Sequence, residues 1–344
     1  MQLKTPGVFN LQYVLFIVIL TLSFTACSKT DKNDGQPSIG VAIYKFDDTF
    51  MSYFRNAIQL NASGKALLKV VDSENSQSIQ NDQVNAFLSK NLKAIAINPV
   101  DRTATAAIIQ KAQGRNVPVV FFNREPVPED MAMWDKVYYI GAKAEESGSM
   151  QGEIAYDYWM ANHATADRNG DGIIQYIMIK GEPGHQDAEL RTEFSIRYLT
   201  DKGIKVEKLA ESTAMWDRPR AVEKMDAFIA SYGDRIEMVF CNNDDMALGA
   251  IEALKNAGYF QDGKYIPVLG VDATAPALKA LEEGTLLGTV LNDADNQGKA
   301  TFDITYALAT GADPKNTGWT ITDGKYIWVP YQKVTKENYR DFIK

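Results

Sequence analysis

Beyond residue 38 the chain alternates short, unbroken apolar runs with longer stretches in which apolar residues recur at helical spacing. Ile39–Tyr44 (IGVAIY) predicts a buried strand and Phe50–Leu60 a helix. Leu67–Val71, Ala94–Ile97 and Val117–Phe122 predict further strands, separated by helices over Ser78–Leu88 and Thr103–Gln113. The pattern then restarts with a strand at Val137–Ile140 and a long helix over Glu145–Met160. Strands follow at Ile174–Lys180, Lys205–Ala210, Met238–Cys241, Val268–Val271 and Leu287–Leu291, with helices at Ala188–Lys202, Pro219–Ser231, Met246–Asn256 and Pro276–Glu283 between them. Strands that are apolar throughout and alternate with helices predict parallel sheets covered on both faces. Right-handed crossovers make each sheet a doubly wound layer. A chain of 344 residues exceeds what one core usually supports, so the restart reads as a second α/β lobe.

In sheets of this kind ligands bind beyond the carboxyl ends of the strands. The residues at those ends are uniform in kind. Asp47, Asp48 and Phe50 follow the first strand, and Asn98 and Asp101 the third. Asn123, Arg124 and Glu125 follow VPVVFF, and Asn242 to Asp245 follow MVFC. Asp272 follows VLGV, and Asn292 and Asp293 follow GTVL. Amides and carboxylates each make two in-plane hydrogen bonds, which suits a ligand built of vicinal hydroxyls. Phe50 and Trp216 supply flat rings for the apolar face of such a ligand. Asx residues here also cap the following helices, which explains many of them one at a time. Capping alone does not explain their company with His185, Arg191 and Trp216.

The first residues belong to no lobe. Lys4, then the apolar run Val14–Leu22, then small or neutral residues up to Ala26 read as a signal peptide over 1–26, too short for a comfortable membrane span. Its Ala-Cys ending resembles a bacterial lipobox, which makes Cys27 the lipidated first mature residue and 27–38 a polar tether. Cys241 is the only other cysteine and reads as a buried, inert thiol. The net charge is −8 and Lys and Arg form no basic stripe, so nucleic acid is not an expected partner.

Asp167, Asn169 and Asp171 place side-chain oxygens at positions 1, 3 and 5 of a Ca2+-loop pattern. Gly172 stands at the turn, the Ile173 carbonyl at position 7 and Gln175 at position 9. Met178 stands where an EF-hand has its bidentate Glu. The loop is therefore either a polar turn or a calcium site completed from elsewhere.

Several segments are long and specific: IYKFDDTFM (43–51), VDSENSQSIQNDQ (71–83), AINPVD (96–101), VPVVFFNREP (117–126), KGEPGHQDAELRT (180–192), TAMWD (213–217), CNNDDMALGA (241–250) and TVLNDADNQGKATFD (289–303). In these the chain resembles the periplasmic galactose/glucose-binding proteins of bacterial ABC transport systems, which have the type I periplasmic binding protein fold. The resemblance runs from about 39 to 331 and is weak in the leader, at 259–264 and in the C-terminal tail. It implies sugar contacts at Asp48, Phe50, Asn98, His185, Asp187, Arg191, Trp216, Asn243, Asp272 and Asn292. Phe50 and Trp216 stack on opposite sugar faces, and Gln186 and Leu190 depart from the family only as spacers. It also implies that Glu237 completes a structural Ca2+ site with Asp167, Asn169, Asp171, Ile173 and Gln175.

Three crossovers near Arg124, Asp293 and Thr320 are expected. They divide the chain into an N-terminal lobe of 39–125 plus 293–320 and a C-terminal lobe of 126–292 plus 321–344. The expected protein is an extracytoplasmic, lipid-anchored monomer, periplasmic or at the cell surface. It takes D-galactose or D-glucose into the inter-lobe cleft and hands it to an ABC permease. A role presenting the sugar to a chemoreceptor or membrane sensor kinase is the alternative. Catalysis is not expected: no G-x-G-x-x-G follows a strand, no phosphate-binding G-x-x-x-x-G-K-[ST] exists, and no Ser or Cys nucleophile stands beside His185. His163 reads as a surface residue. A transcription regulator of similar build would need a helix-turn-helix where the signal peptide lies.

Overall fold

The computed structural model describes residues 35–343, so the signal peptide, Cys27 and the tether up to residue 34 lie outside the described residues. In chain order the elements begin β1 Ser38–Ile43, α1 Thr49–Ala62, β2 Leu67–Asp72, α2 Gln77–Ser89, β3 Ala94–Ile97, α3 Thr105–Gly114, β4 Val119–Phe122, α4 Pro128–Met131 and β5 Val137–Gly141. They continue α5 Ala144–Ala166, β6 Ile173–Lys180, α6 Gln186–Asp201, β7 Lys205–Thr213, α7 Arg218–Tyr232, β8 Met238–Cys241, α8 Asp244–Asn256, β9 Val268–Leu269, α9 Ala275–Glu283 and β10 Gly288–Leu291. They close with α10 Ala294–Thr310, β11 Tyr326–Trp328 and β12 Gln332–Thr335. Periodicity locates every element through β10 except the single turn α4.

The strands form two six-stranded sheets, ordered β11-β5-β4-β3-β1-β2 and β12-β10-β9-β8-β6-β7. All pairings are parallel except β10–β12, so an antiparallel strand edges the second sheet. This is the type I periplasmic binding protein fold of two α/β lobes. The central strands β3, β4 and β8 are buried along their whole length, as parallel strands with helices on both faces must be.

Sheet membership corrects the expected lobe boundaries. β5 pairs with β4 and belongs to the first sheet, so the first crossover follows Gly141 rather than Arg124. β11 also joins the first sheet, beside β5, so the last crossover lies between Trp328 and Gln332 rather than near Thr320. The crossover near Asp293 falls where expected, between β10 and α10, and Asp293 caps α10 by accepting from Asn296 N. α10 packs its Ala294, Ala300, Phe302 and Ile304 into the first lobe's core with Phe54, Ile58 and Phe122. α5 instead buries Ile154, Ala155 and Trp159 against Tyr176 and Met178 of the second lobe. Fully burying a side chain of that size stabilises the fold by about 1.5–3 kcal/mol. Cys241 is a fully buried free thiol.

Candidate binding site between the lobes

The residues that follow β1, β4, β6, β7, β8, β9 and β10 line a single cavity between the two lobes. Tyr44, Asp48, Phe50, Met51, Asn123 and Arg124 come from the first lobe. His185, Asp187, Arg191, Trp216, Asn243, Asp272 and Asn292 come from the second. Every expected sugar contact is in this wall except Asn98.

Several of these side chains serve the fold and the cavity together. Asp48 caps α1, with Oδ1 accepting from Met51 N at 2.8 Å, while Oδ2 accepts from Tyr44 Oη at 2.5 Å. Burial, then the neighbouring Asp48 carboxylate, raise the Tyr44 phenol well above its usual pKa, so it stays a donor. Asn243 caps α8 by accepting from Met246 N at 3.0 Å. His185 caps α6 through Nδ1, which accepts from Asp187 N at 3.1 Å. Burial, then Arg124, Arg191 and Arg102, hold the His185 imidazole well below its ordinary pKa. It is therefore neutral, and with Nδ1 accepting, Nε2 carries the proton and is free to donate to a ligand.

Arg191 offsets part of the acidic charge in the cavity. Arg191 donates to Asp187 Oδ2 at 2.9 Å, to Asn242 O at 2.9 Å and to Tyr331 Oη at 3.0 Å. Burial opposes its charge, but Tyr331, Asp187 and Asp272 more than offset that, so it stays a cation. Burial also raises the Asp187 carboxyl, against the pull of Arg191. Asp272 sits in a left-handed backbone conformation at φ 125°. Its Oδ1 accepts from Asn292 Nδ2 at 3.2 Å, and Asn292 Oδ1 accepts from Gln297 Nε2 at 2.6 Å. A line of amides thus fixes the Asp272 carboxylate from behind.

Trp216 turns its ring edge-on to His185, with centroids 5.0 Å apart. Gly181 makes room for it: a Cβ there would lie 2.2 Å from the indole. The Nε atoms of Arg124 and Arg191 are buried without a hydrogen-bond partner among the described residues. A buried orphan donor costs on the order of 1–3 kcal/mol, and an oxygen-rich guest would relieve it.

Asn98 lies apart from the other expected contacts. It is fully buried behind the wall, accepting from Tyr44 N at 3.3 Å and donating to Phe122 O at 3.2 Å and Asn123 Oδ1 at 3.1 Å. It ties the ends of β1, β3 and β4 together, and Asn123 takes its place at the surface. The strand-end rule reaches Asn123 and Arg124. Tyr44 closes an apolar run, and nothing in its spacing marks it as lining a cavity.

The loop after α5 gathers the other set of oxygens. Asp167 Oδ1 accepts from Gly170 N and Asp171 N at 2.8 and 3.1 Å, and Oδ2 accepts from Gly172 N at 2.9 Å. Glu237, distant in sequence, arrives beside it. Its Oε1 accepts from Arg168 N at 2.8 Å and its Oε2 from Gln175 N at 3.1 Å. Burial, then the nearby Asp167 and Asp171 after two opposing backbone bonds, leave the Glu237 carboxyl raised. Among the described residues no three carboxylates converge on one point. The amide nitrogens of Asn169 and Gln175 face Asp171 Oδ2 at 2.9 and 2.8 Å. Turning those amides over would present oxygens instead. His163 is an exposed surface residue, as expected; its Nε2 stands 4.0 Å from Asp167 Oδ2 and its ring packs against Trp159.

Two lobes holding a polar, ring-walled cavity between opposed strand ends define a solute-binding protein. The chain belongs to the periplasmic binding protein family, whose members bind solutes and are not enzymes. The model described as Periplasmic binding protein domain matches residues 39–313. The chain is 44% identical, over 96% of its length and 98% of the relative's, to the D-galactose/methyl-galactoside binding periplasmic protein MglB of Haemophilus influenzae. It is 32% identical, over 89% of its length and 92% of the relative's, to a putative rhizopine-binding protein of Rhizobium meliloti. Among solved structures, an ABC transporter solute-binding protein from Bacillus halodurans with bound myo-inositol matches with TM-score 0.75 at 30% identity, covering 90% of this chain and 97% of that one.

Proposed function

We propose that this protein is the extracytoplasmic sugar-binding component of an ABC transporter, taking D-galactose or D-glucose between its lobes. The observation that carries the reading is the convergence of Asp48, Asp187, Asp272, Arg191, Asn243 and Asn292 with Phe50 and Trp216 in one cavity. A hexose is uncharged and heavily hydrated, so its site must replace each water bond with a fixed partner. Pairing of Asp187 with Arg191 lowers the cost of burying both. The relative named for D-galactose and methyl-galactoside binding favours galactose between the two hexoses. Uptake of labelled galactose in a strain lacking the gene tests the transport role. Lost uptake, restored by the intact gene but not by an Asp187→Asn copy, is expected; unchanged uptake refutes transport.

We infer also that the loop at Asp167 holds a structural Ca2+. The donor set fits a hard cation: the carboxylates of Asp167, Asp171 and Glu237, the amides of Asn169 and Gln175, and the Ile173 carbonyl. Among the described residues no Lys or Arg nitrogen pairs with those three carboxylates, and only the exposed His163 imidazole stands near one of them, 4.0 Å from Asp167 Oδ2. All six residues belong to the second lobe, so the ion would stiffen that lobe rather than touch sugar. Lipidation at Cys27 would hold the protein at the outer face of a membrane.

A further inference from the structure

Arg124 is 4% exposed and lies in the cavity wall, on the first lobe. Its Nη1 donates to Val100 O at 2.6 Å, anchoring it to that lobe. The guanidinium lies over the Tyr44 ring, 3.9 Å from the centroid. Tyr44 in turn donates to Asp48, whose carboxylate is part of the cavity wall. Nη2 reaches across the cleft to Glu182 Oε2 at 2.6 Å, on the loop between β6 and α6 of the second lobe. One side chain therefore touches its own lobe, the partner of Asp48 and the opposite lobe.

We propose that Arg124 is a positioning residue that couples lobe closure to the sugar cavity: it clasps Glu182 only when the lobes are shut, and through Tyr44 it sets Asp48 for the ligand in that same state. This rests on the sugar reading above. A ligand stabilises the closed form by its differential affinity, and its apparent affinity scales with the closed population. Loss of the clasp alone therefore weakens all sugars by one common factor. Loss of the Tyr44 support also changes the ratio between sugars that differ at the hydroxyl facing Asp48. Another cross-lobe link runs from Arg102 Nη2 to Gln186 Oε1 at 3.1 Å and from Gln186 Nε2 to Glu125 Oε2 at 2.8 Å. None of those three residues is in the cavity wall, so Gln186→Ala serves as a control for lobe docking in general.

The test measures D-galactose and D-glucose dissociation constants and dissociation rates for Arg124→Gln, Arg124→Lys, Glu182→Gln, the Arg124→Gln/Glu182→Gln double variant and Gln186→Ala. Small-angle scattering of each without sugar accompanies the titrations. Breaking a partly buried charged pair acts mainly on the dissociation rate, so Arg124→Gln should raise it by roughly 10-fold or more. Glu182→Gln should weaken both sugars equally, and the double variant should be no worse than Arg124→Gln alone. Arg124→Lys should restore the clasp in part without restoring the galactose-to-glucose ratio. Sugar-free Arg124→Gln and Glu182→Gln should be more expanded than the parent. Dissociation rates within twofold of the parent, additive variants, or an effect equalled by Gln186→Ala would overturn the proposal. Glu182→Gln alters a partly exposed side chain and keeps the test decisive if Arg124→Gln folds poorly. A parent that binds neither hexose while its scattering still responds to Glu182→Gln would sink the sugar reading and leave the clasp standing.

Discussion

Gly181→Ala is the smallest change that should disturb the cavity. Gly181 follows β6, donating its N–H to Asn242 Oδ1 at 3.0 Å and accepting from the Thr213 hydroxyl. A methyl group there would stand 2.2, 2.3 and 2.4 Å from Cζ2, Cη2 and Cε2 of Trp216. Carbon atoms pack at about 3.5–4 Å, so the indole must retreat by about 1 Å or more. It has little freedom to do so. The Trp216 backbone is already left-handed at φ 67°, and its ring meets His185 edge-on. Overpacking of this kind costs roughly 1–3 kcal/mol. Falling wholly on the bound state, that raises the dissociation constant from about fivefold to on the order of a hundredfold. Shared equally by the free protein, it appears instead as about 2–4 °C of melting temperature per kcal/mol. Calorimetric titration with D-galactose beside scanning calorimetry of the sugar-free variant separates the two. Unchanged affinity together with an unchanged melting temperature would refute the claim that Gly181 sets the Trp216 position.

Removing calcium with a chelator should lower the melting temperature by roughly 5–10 °C if the ion normally exceeds its dissociation constant a hundredfold. Glu237→Gln should abolish that response while leaving sugar stoichiometry intact. Gln297→Ala, by freeing the Asn292 amide behind Asp272, should weaken galactose about fivefold to tenfold, as titration can read, and should also cost about 1–3 kcal/mol of fold stability because Gln297 is buried and Asn292 Oδ1 loses its donor. Asp244 is fully buried against Thr274 and Thr289, and burial pushes its carboxyl to about 7 despite those hydrogen bonds. The folded state then holds a proton that the unfolded chain releases near pH 4. Stability from this group is therefore present at low pH and lost as pH rises from about 4 to 7. Thermal melts across that range should show a steeper decline in the parent than in Asp244→Asn; equal slopes would contradict the assignment.

The alternation of apolar runs located the strands and helices up to Leu291 because parallel strands buried on both faces leave a strong signal. It could not say which sheet each strand joins. Val137–Ile140 reads as the start of a new lobe, yet it pairs beside β4, since pairing is decided in three dimensions. β11 has three residues and β12 pairs antiparallel at an edge, so neither carries the buried-run signature. At the site, strand ends marked the right neighbourhood but not the direction of each side chain. Asn98 is turned inward to bond Tyr44 N, Phe122 O and Asn123 Oδ1, whereas Asn123 and Arg124, one strand over, face the cavity. Glu237 reaches the calcium-loop pattern because β8 lies beside β6 in the sheet. Spacing along the chain holds no trace of that, and only the family resemblance pointed to it.

Calorimetric titration of the mature, calcium-loaded protein with D-galactose, D-glucose, D-ribose and myo-inositol tests the central claim most directly. A single saturable site for galactose or glucose, with the pentose and the cyclitol far weaker and the heat lost in Trp216→Ala, is the expected result. Equal or tighter binding of ribose or inositol, or no heat from any of the four, would contradict it.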